Sequence, residues 1–262
     1  MITAVASEAT LVRRCLHVRQ QKVTAVGQLW HGNLYGQELV LLRGGMGSER
    51  ATQAATWLVQ HYALHSVLSV GFAGGLQTSL ATGDAVLPLQ ILATRAGAEN
   101  ASPHAPAGII PDASLAYHAA EAATEAGLTP HRGTLLSVTE MVSHAVTKQR
   151  LGERFGAVAV DMESYSIGQV AAAQHLPFMV LRTIFDTQAD EVPFQAGRFT
   201  SADGALQPMR LLAYVARHPR ALAQVPLAWR KVRIAGRGLE SWLGHFLRRL
   251  HQPGAAPRRP PR

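Results

Sequence analysis

The chain has 262 residues, 47% of them hydrophobic, and a formal net charge of +8. That length can bury a substantial core as one large domain, alone or with an appendage. No apolar run approaches the ~20 residues of a spanning helix, and residues 1–7 lack the basic start and apolar stretch of a signal peptide, so cytoplasmic residence is expected.

The single cysteine, Cys15, excludes an internal disulfide and a cysteine-built zinc site; its neighbours Leu11, Val12 and Leu16 suit helix packing. The charge is unevenly placed. Residues 1–208 hold 13 Lys/Arg against 16 Asp/Glu, whereas residues 209–262 hold 12 against the one acid Glu240. A balance of −3 followed by +11 assigns any anionic partner to the end of the chain.

In chain order, strand-like runs fall at residues 2–6, 23–29, 38–43, 66–72, 85–92, 134–138, 157–160 and 178–184. Helical patterns lie between them at 8–17, 49–61, 114–126, 146–155 and 162–175. Strands alternating with helices predict an α/β domain around a central mixed β-sheet flanked by helices. The Pro- and Gly-containing stretch 97–112 reads as an irregular loop near the site edge. From residue 222, apolar residues recur at three- and four-residue steps among arginines, with Trp229 and Trp242 included. This predicts a basic amphipathic helix, suited either to a membrane surface or to packing on its own domain. The expected division is 1–208 as catalytic domain, 209–252 as basic helical tail and 253–262 as a disordered end.

Three stretches could carry chemistry. The loop Arg43-Gly44-Gly45-Met46-Gly47 leads from a strand into a helix, so it is either a tight turn or a backbone cradle for an anion or a ribose hydroxyl. Gly71-Phe72-Ala73-Gly74-Gly75 is a second place where backbone can approach a ligand closely. The run 157–190 is the most informative. It places Asp161 and Glu163 at a helix start and Asp186 at the carboxyl end of the next strand, the edge where open α/β sheets bind ligands. A carboxylate there can accept two sugar hydroxyls, and a nearby acid can lend a proton to a leaving base. The histidines show no metal-ligand spacing, so neither metal nor cofactor is expected.

These residues also carry a family resemblance. Val160-Asp161-Met162-Glu163-Ser164 with Arg182 and Asp186, the two glycine stretches, and Gly83-Asp84-Ala85-Val86 together resemble the superfamily of purine nucleoside phosphorylases and 5'-methylthioadenosine/S-adenosylhomocysteine nucleosidases. The match extends over most of residues 1–200. It implies a nucleoside phosphorylase type of fold and cleavage of an N-glycosidic bond. By resemblance, Asp186 is the acid that assists the departing purine, and Glu163 binds the ribose hydroxyls above Met162. Glu8 falls near the glutamate that activates water, with a helix's first-turn acid as its other reading. Asp161 either orients the site or caps the helix. Phe72, Ala73 and Gly74 would lie against base and ribose, with Gly45 and Arg43 beside them; Met141 and Val142 would sandwich the base.

One departure bears on the nucleophile. The phosphorylases hold phosphate with an arginine and a serine around the second glycine stretch, where this chain has Ser69 and Phe72, which favours water. The segment 218–231 further resembles the hopanoid-associated phosphorylases, whose proposed substrate is adenosylhopane. The expectation is a nucleosidase releasing adenine from an adenosylhopane-like or methylthioadenosine-like substrate. Phosphorolysis is the alternative within the family, and a non-catalytic membrane-associated nucleoside-binding protein is the alternative outside it. A homodimer, an anionic membrane contact through the tail and no nucleic acid complete the expected partners.

Overall fold

A computed structural model describes residues 1–94, 108–191 and 225–251. The elements run β1 (Ile2–Thr3), α1 (Ala6–Arg14), β2 (His17–Thr24), β3 (Gly27–Leu34), β4 (Gln37–Arg43), α2 (Ser48–His61), β5 (Val67–Gly75) and β6 (Ala85–Thr94). There follow α3 (Ala113–Glu125), β7 (His131–Val138), α4 (Ala145–Phe155), β8 (Ala157–Asp161), α5 (Ser164–Ala173), β9 (Phe178–Asp186) and α6 (Val225–His251).

The described strands form one mixed sheet in the order β2-β3-β4-β1-β5-β8-β7-β6-β9, and β9 also pairs with β5. Half of the sheet therefore closes into a ring of β5, β8, β7, β6 and β9, while β4, β3 and β2 extend from it as an antiparallel wing. Parallel pairing of β5 with β9 sets Gly71 opposite Arg182 and Gly74 opposite Asp186. Parallel pairing of β7 with β8 sets Ser137 opposite Asp161. These registers gather the chemistry-bearing residues at one edge.

The core has two main layers. One holds Val12, Val70, Leu87, Ala119, Leu181, Trp242 and Phe246 under α1, α3 and α6. The other holds Leu42, Ala54, Leu58, Ile91, Ile167 and Val180 under α2 and α5. Within the ring, β8 is buried along its whole length and β9 along all but its last two residues.

Several expectations are corrected. The single strand expected at 23–29 is a hairpin of two strands, β2 and β3, joined at Ala25 and Val26. Its first strand escaped notice because it is solvated on both faces, Val23 being 84% exposed, and so carries no apolar alternation. The helix expected at 8–17 begins at Ala6 and stops at Arg14, where His17 is already paired with Asn33. The helix expected at 162–175 starts at Ser164, leaving Glu163 at its entry. Most of the loop 97–112 lies outside the described residues; at its end Ile109 bridges to Ile91, and Asp112 caps α3 by accepting the Leu115 amide at 2.9 Å.

The helix within the expected tail 209–252 packs on the domain, one of its two expected settings. Ala235, Leu239, Trp242, Leu243, Phe246 and Leu247 are buried, and the Trp242 indole donates to the Ala119 carbonyl oxygen at 2.8 Å. The apolar stripe that suggested a free amphipathic helix is consumed against α1, α3 and β9. Only the first turns of α6 keep apolar residues in solvent, Trp229 at 65% and Leu227 at 52% exposure. Residues 209–224 and the end 253–262 lie outside the described residues. No helix among the described residues is long and apolar enough to cross a membrane.

Candidate active site

Glu8 is brought to the sheet edge by α1. As the third residue of that helix it accepts the Ala4 and Val5 amides on Oε2, at 2.9 and 3.0 Å, so it does cap its own first turn. Its other oxygen reaches across to β5 and accepts the Phe72 amide at 2.8 Å. Three of its roughly four acceptor positions are thereby used. The carboxyl is buried, and burial raises its pKa against the opposing pull of Arg182 and the three amides. A buried carboxylate with one open acceptor position is suited to take a proton.

Gly71 explains how Glu8 and Arg182 come together. A Cβ at that position would lie 2.3 Å from Glu8 Oε1 and 2.8 Å from Arg182 Nη1. The space above this one backbone is therefore shared by an anion and a cation from different elements, and any side chain would displace both.

Arg182 sits in the apolar run of β9 because Asp161 compensates it. Its Nε and Nη2 donate to Asp161 Oδ2 at 3.0 and 2.8 Å, and Nη2 also reaches Ser69 at 2.8 Å and Ser164 at 3.0 Å. Burial opposes its charge, but Asp161, Glu8 and Glu163 together hold its pKa above the ordinary value. Asp161 in turn accepts from Ser137 at 2.5 Å, from the Ser164 hydroxyl, and from the Ser164 amide at the start of α5. It thus both orients Arg182 and caps the helix. Both of its oxygens are thus engaged by protein donors.

Glu163 lies beside this cluster. Its Oε1 accepts the Gly47 amide at 2.8 Å, which ties the first glycine loop to the acidic pair. Gly45 and Gly47 both have positive φ, 95° and 96°, as a loop turning its amides inward requires. Burial first, then the charge of Asp161, push the Glu163 carboxyl up to about 7 despite Arg182 and the Gly47 amide. At neutral pH it is poised between an acceptor and a donor of hydrogen bonds.

Asp186 ends β9, and a Cβ on Gly74 would lie 3.3 Å from its Oδ2. It is mostly buried, and the ring centroid of the preceding Phe185 is 6.1 Å from that of Phe72. Burial raises its pKa, while Lys148 pulls in the other direction. Met162 and the buried Val142 pack in one apolar cluster with Leu136 and Val160; Met141 is half-buried in the loop after β7. Ala73 is buried in β5 between Phe72 and Gly74.

Arg43 lines a pocket of about 310 Å³ with Arg50 and the turn between β2 and β3. Arg182 stands in the motif with no role that local sequence assigns; a charge inside a buried apolar strand is the signal that it needs a partner. Lys148 was missed outright, since it sits between Thr147 and Gln149 in what reads as an ordinary polar helix.

Residues 1–216 match the family model described as the phosphorylase superfamily. A 5'-methylthioadenosine/S-adenosylhomocysteine nucleosidase of Halalkalibacterium halodurans is 29% identical over 224 residues, covering 83% of this chain and 97% of that protein. Among solved structures, the Neisseria meningitidis nucleosidase of the same name, in complex with methylthio-immucillin-A, superposes with a TM-score of 0.71 at 21% identity, covering 95% of this chain and 97% of that one. The native futalosine hydrolase of Helicobacter pylori gives 0.72 at 19% identity, covering 95% and 96%. At those identities the two structures speak for the fold.

Proposed function

The chain belongs to the phosphorylase superfamily, and from that premise we propose that it is a nucleosidase hydrolysing the N-glycosidic bond of a 5'-substituted adenosine to release adenine. The observation that carries the reading is the meeting of Glu8 and Arg182 above Gly71, with Glu163 beside them and Asp186 four residues further along the paired strand. Asp186, in its protonated form, gives its proton to a ring nitrogen of the departing purine. Glu163 accepts the ribose hydroxyls, and its ionised form stabilises positive charge developing on the sugar. Glu8 takes a proton from the water that attacks the anomeric carbon. Gly74 lets the substrate approach the backbone beside Asp186, with Phe72 and Met162 as apolar walls.

Water is favoured over phosphate on electrostatic grounds. Three buried carboxyl groups, Glu8, Asp161 and Glu163, surround a single guanidinium that already serves Asp161, Ser69 and Ser164. A phosphate dianion would enter a field of its own sign. The relative from Halalkalibacterium halodurans, a nucleosidase by name, supports the same direction. Phosphorolysis is the second reading.

The 5' substituent is proposed to be adenosylhopane-like or methylthioadenosine-like. The outer side of α6, with exposed Trp229 and Leu227 beside Arg230, Arg233 and Arg237, supports a contact with anionic lipid and hence a place at the inner face of the cytoplasmic membrane. Assembly as a homodimer is proposed from the resemblance alone.

The test is to incubate the purified protein with methylthioadenosine and with adenosylhopane, each with and without phosphate, and to identify the sugar. Free ribose derivative without phosphate supports hydrolysis. A sugar 1-phosphate formed only when phosphate is added reverses the assignment, and no adenine from either substrate leaves the binding protein.

A further inference from the structure

Lys148 is among the largest fully buried side chains of the protein, yet it is a cation. It comes from α4, outside the carboxylate cluster around Arg182. All three of its protons are committed: to Asp186 Oδ2, to the Thr187 carbonyl oxygen at 2.9 Å and to the Asp190 carbonyl oxygen at 2.9 Å. A buried ammonium costs least when its donors are satisfied, and all three of these are, so the site has been built around it.

The turn that follows β9 is fastened from the other side. Asp190 Oδ2 accepts the Thr187 amide at 2.7 Å, the Thr187 hydroxyl at 2.8 Å and the Lys231 ammonium at 2.6 Å. Lys231 belongs to α6. The same helix touches β9 again where the Thr183 hydroxyl donates to the Ala235 carbonyl oxygen at 3.0 Å, and Ile234 lies against Gly83, whose amide donates to the Ile184 carbonyl oxygen at 2.8 Å. The strand end bearing Asp186 is thus held between α4 and α6, through contacts at residues 183, 184, 186, 187 and 190.

We propose that Lys148, braced by the Asp190–Lys231 ion pair, is the positioning residue of the acid Asp186, and that the first turns of α6 are thereby part of the catalytic apparatus. Lys148 does not touch substrate. As the base departs, the Asp186 carboxyl proton passes to a ring nitrogen of the purine and the carboxylate left behind keeps the Lys148 hydrogen bond. No bond to the lysine is made or broken. The lysine aims one oxygen, leaves the other for the purine, and stabilises the charge that Asp186 acquires only as the proton leaves, which lowers the barrier rather than strengthening ground-state binding. The charged groups facing Asp186 are Lys148, Asp190 and Lys231; burial and Asp190 push its pKa up, and the two lysines pull it down.

The inference rests on Asp186 being the acid, so the experiment has one arm that depends on turnover and one that does not. In the first, Lys148→Met and Lys231→Met are compared with the full-length parent on methylthioadenosine. The expected result is a kcat lower by about 10²-fold or more for Lys148→Met, in the range of a lost acid. For Lys231→Met the loss is about tenfold at a KM changed less than about threefold, with recovery in Lys231→Arg. In the second, the Asp186 carboxyl carbon is titrated by ¹³C NMR, assigned by its absence in Asp186→Asn. Its pKa is expected to rise in both lysine variants, and the alkaline limb of the kcat profile to move up with it. If Lys148→Met does not fold, the half-buried Lys231 decides. An Asp186 titration and a kcat unchanged in Lys231→Met overturn the proposal; a parent that cleaves no nucleoside overturns the enzymatic reading, while the titration still decides the positioning.

Discussion

Trp242 and Trp229 offer a stringent check on the place of the C-terminal helix, because one helix carries the same residue type in opposite environments. Trp242 is fully buried between α3 and the sheet and donates to the Ala119 carbonyl oxygen at 2.8 Å; Trp229, thirteen residues earlier, is 65% exposed. Truncating a buried tryptophan to alanine costs about 3–5 kcal/mol through lost transfer energy and the cavity left behind. For a domain of this size each kcal/mol shifts the midpoint by about 2–4 °C, so Trp242→Ala should lower Tm by roughly 6–20 °C. Trp229→Ala removes little that folding buries and should stay within about 0.5 kcal/mol of the parent. Urea denaturation and thermal melts followed by circular dichroism, at one pH and protein concentration, measure both. The reasoning fails if Trp242→Ala melts within about 1 °C of the parent or if the two variants shift equally, for either result would mean that α6 does not belong to the core.

Replacement of Asp186 by asparagine should lower adenine release by about 10²–10⁴-fold while nucleoside binding survives, and turnover within about tenfold of the parent would remove its role as acid. Glu163 carries a pH signature: its carboxyl holds a proton up to about 7 in the folded chain, but only to about 4.3 when unfolded. Between those values the folded state binds more protons, so this group makes stability fall as pH rises, by on the order of 3 kcal/mol across the window. Urea midpoints at pH 4.5 and 7.5 should therefore lie closer together in Glu163→Gln than in the parent after other groups are matched, and identical pH slopes would contradict the raised pKa. Vesicles rich in phosphatidylglycerol should retain the protein at low salt and release it at high salt. Charge reversal at Arg230 and Arg233 should weaken that binding without moving Tm, and retention insensitive to both salt and reversal would leave the lipid contact without support.

Much of this was legible from local signals. Alternating apolar runs and helical stretches located the interior strands and helices, because elements buried on one or two faces must show their faces as periodicity. The acid-bearing motif at 161–163 and Asp186 could be placed at a helix start and a strand end from the run of residues around them. From its neighbours alone Glu8 was legible as an acid in a first turn, and only the resemblance offered it a catalytic role. That it also reaches the Phe72 amide depends on α1 lying against β5, a contact that separates residues by 64 positions in the chain. The exposed strand β2 was illegible for the opposite reason: both of its faces are wet, so neither imposes a pattern.

The sequence by itself determined the α/β class, the glycines that permit close approach at residues 71 and 74, and the identity of the acids at one edge, since each of these follows from residue type and near-neighbour order. Only the tertiary structure decided which partners those acids meet. It occupied Asp161 with Arg182, Ser137 and Ser164, set Glu8 and Arg182 together above Gly71, and brought a lysine from α4 against Asp186. It also resolved the basic amphipathic helix, an ambiguity that composition cannot remove. An apolar stripe has the same period whether it meets lipid or protein, and what settles the question is that α3 and β9 present a complementary apolar surface at the distance where Trp242 and Phe246 can fill it.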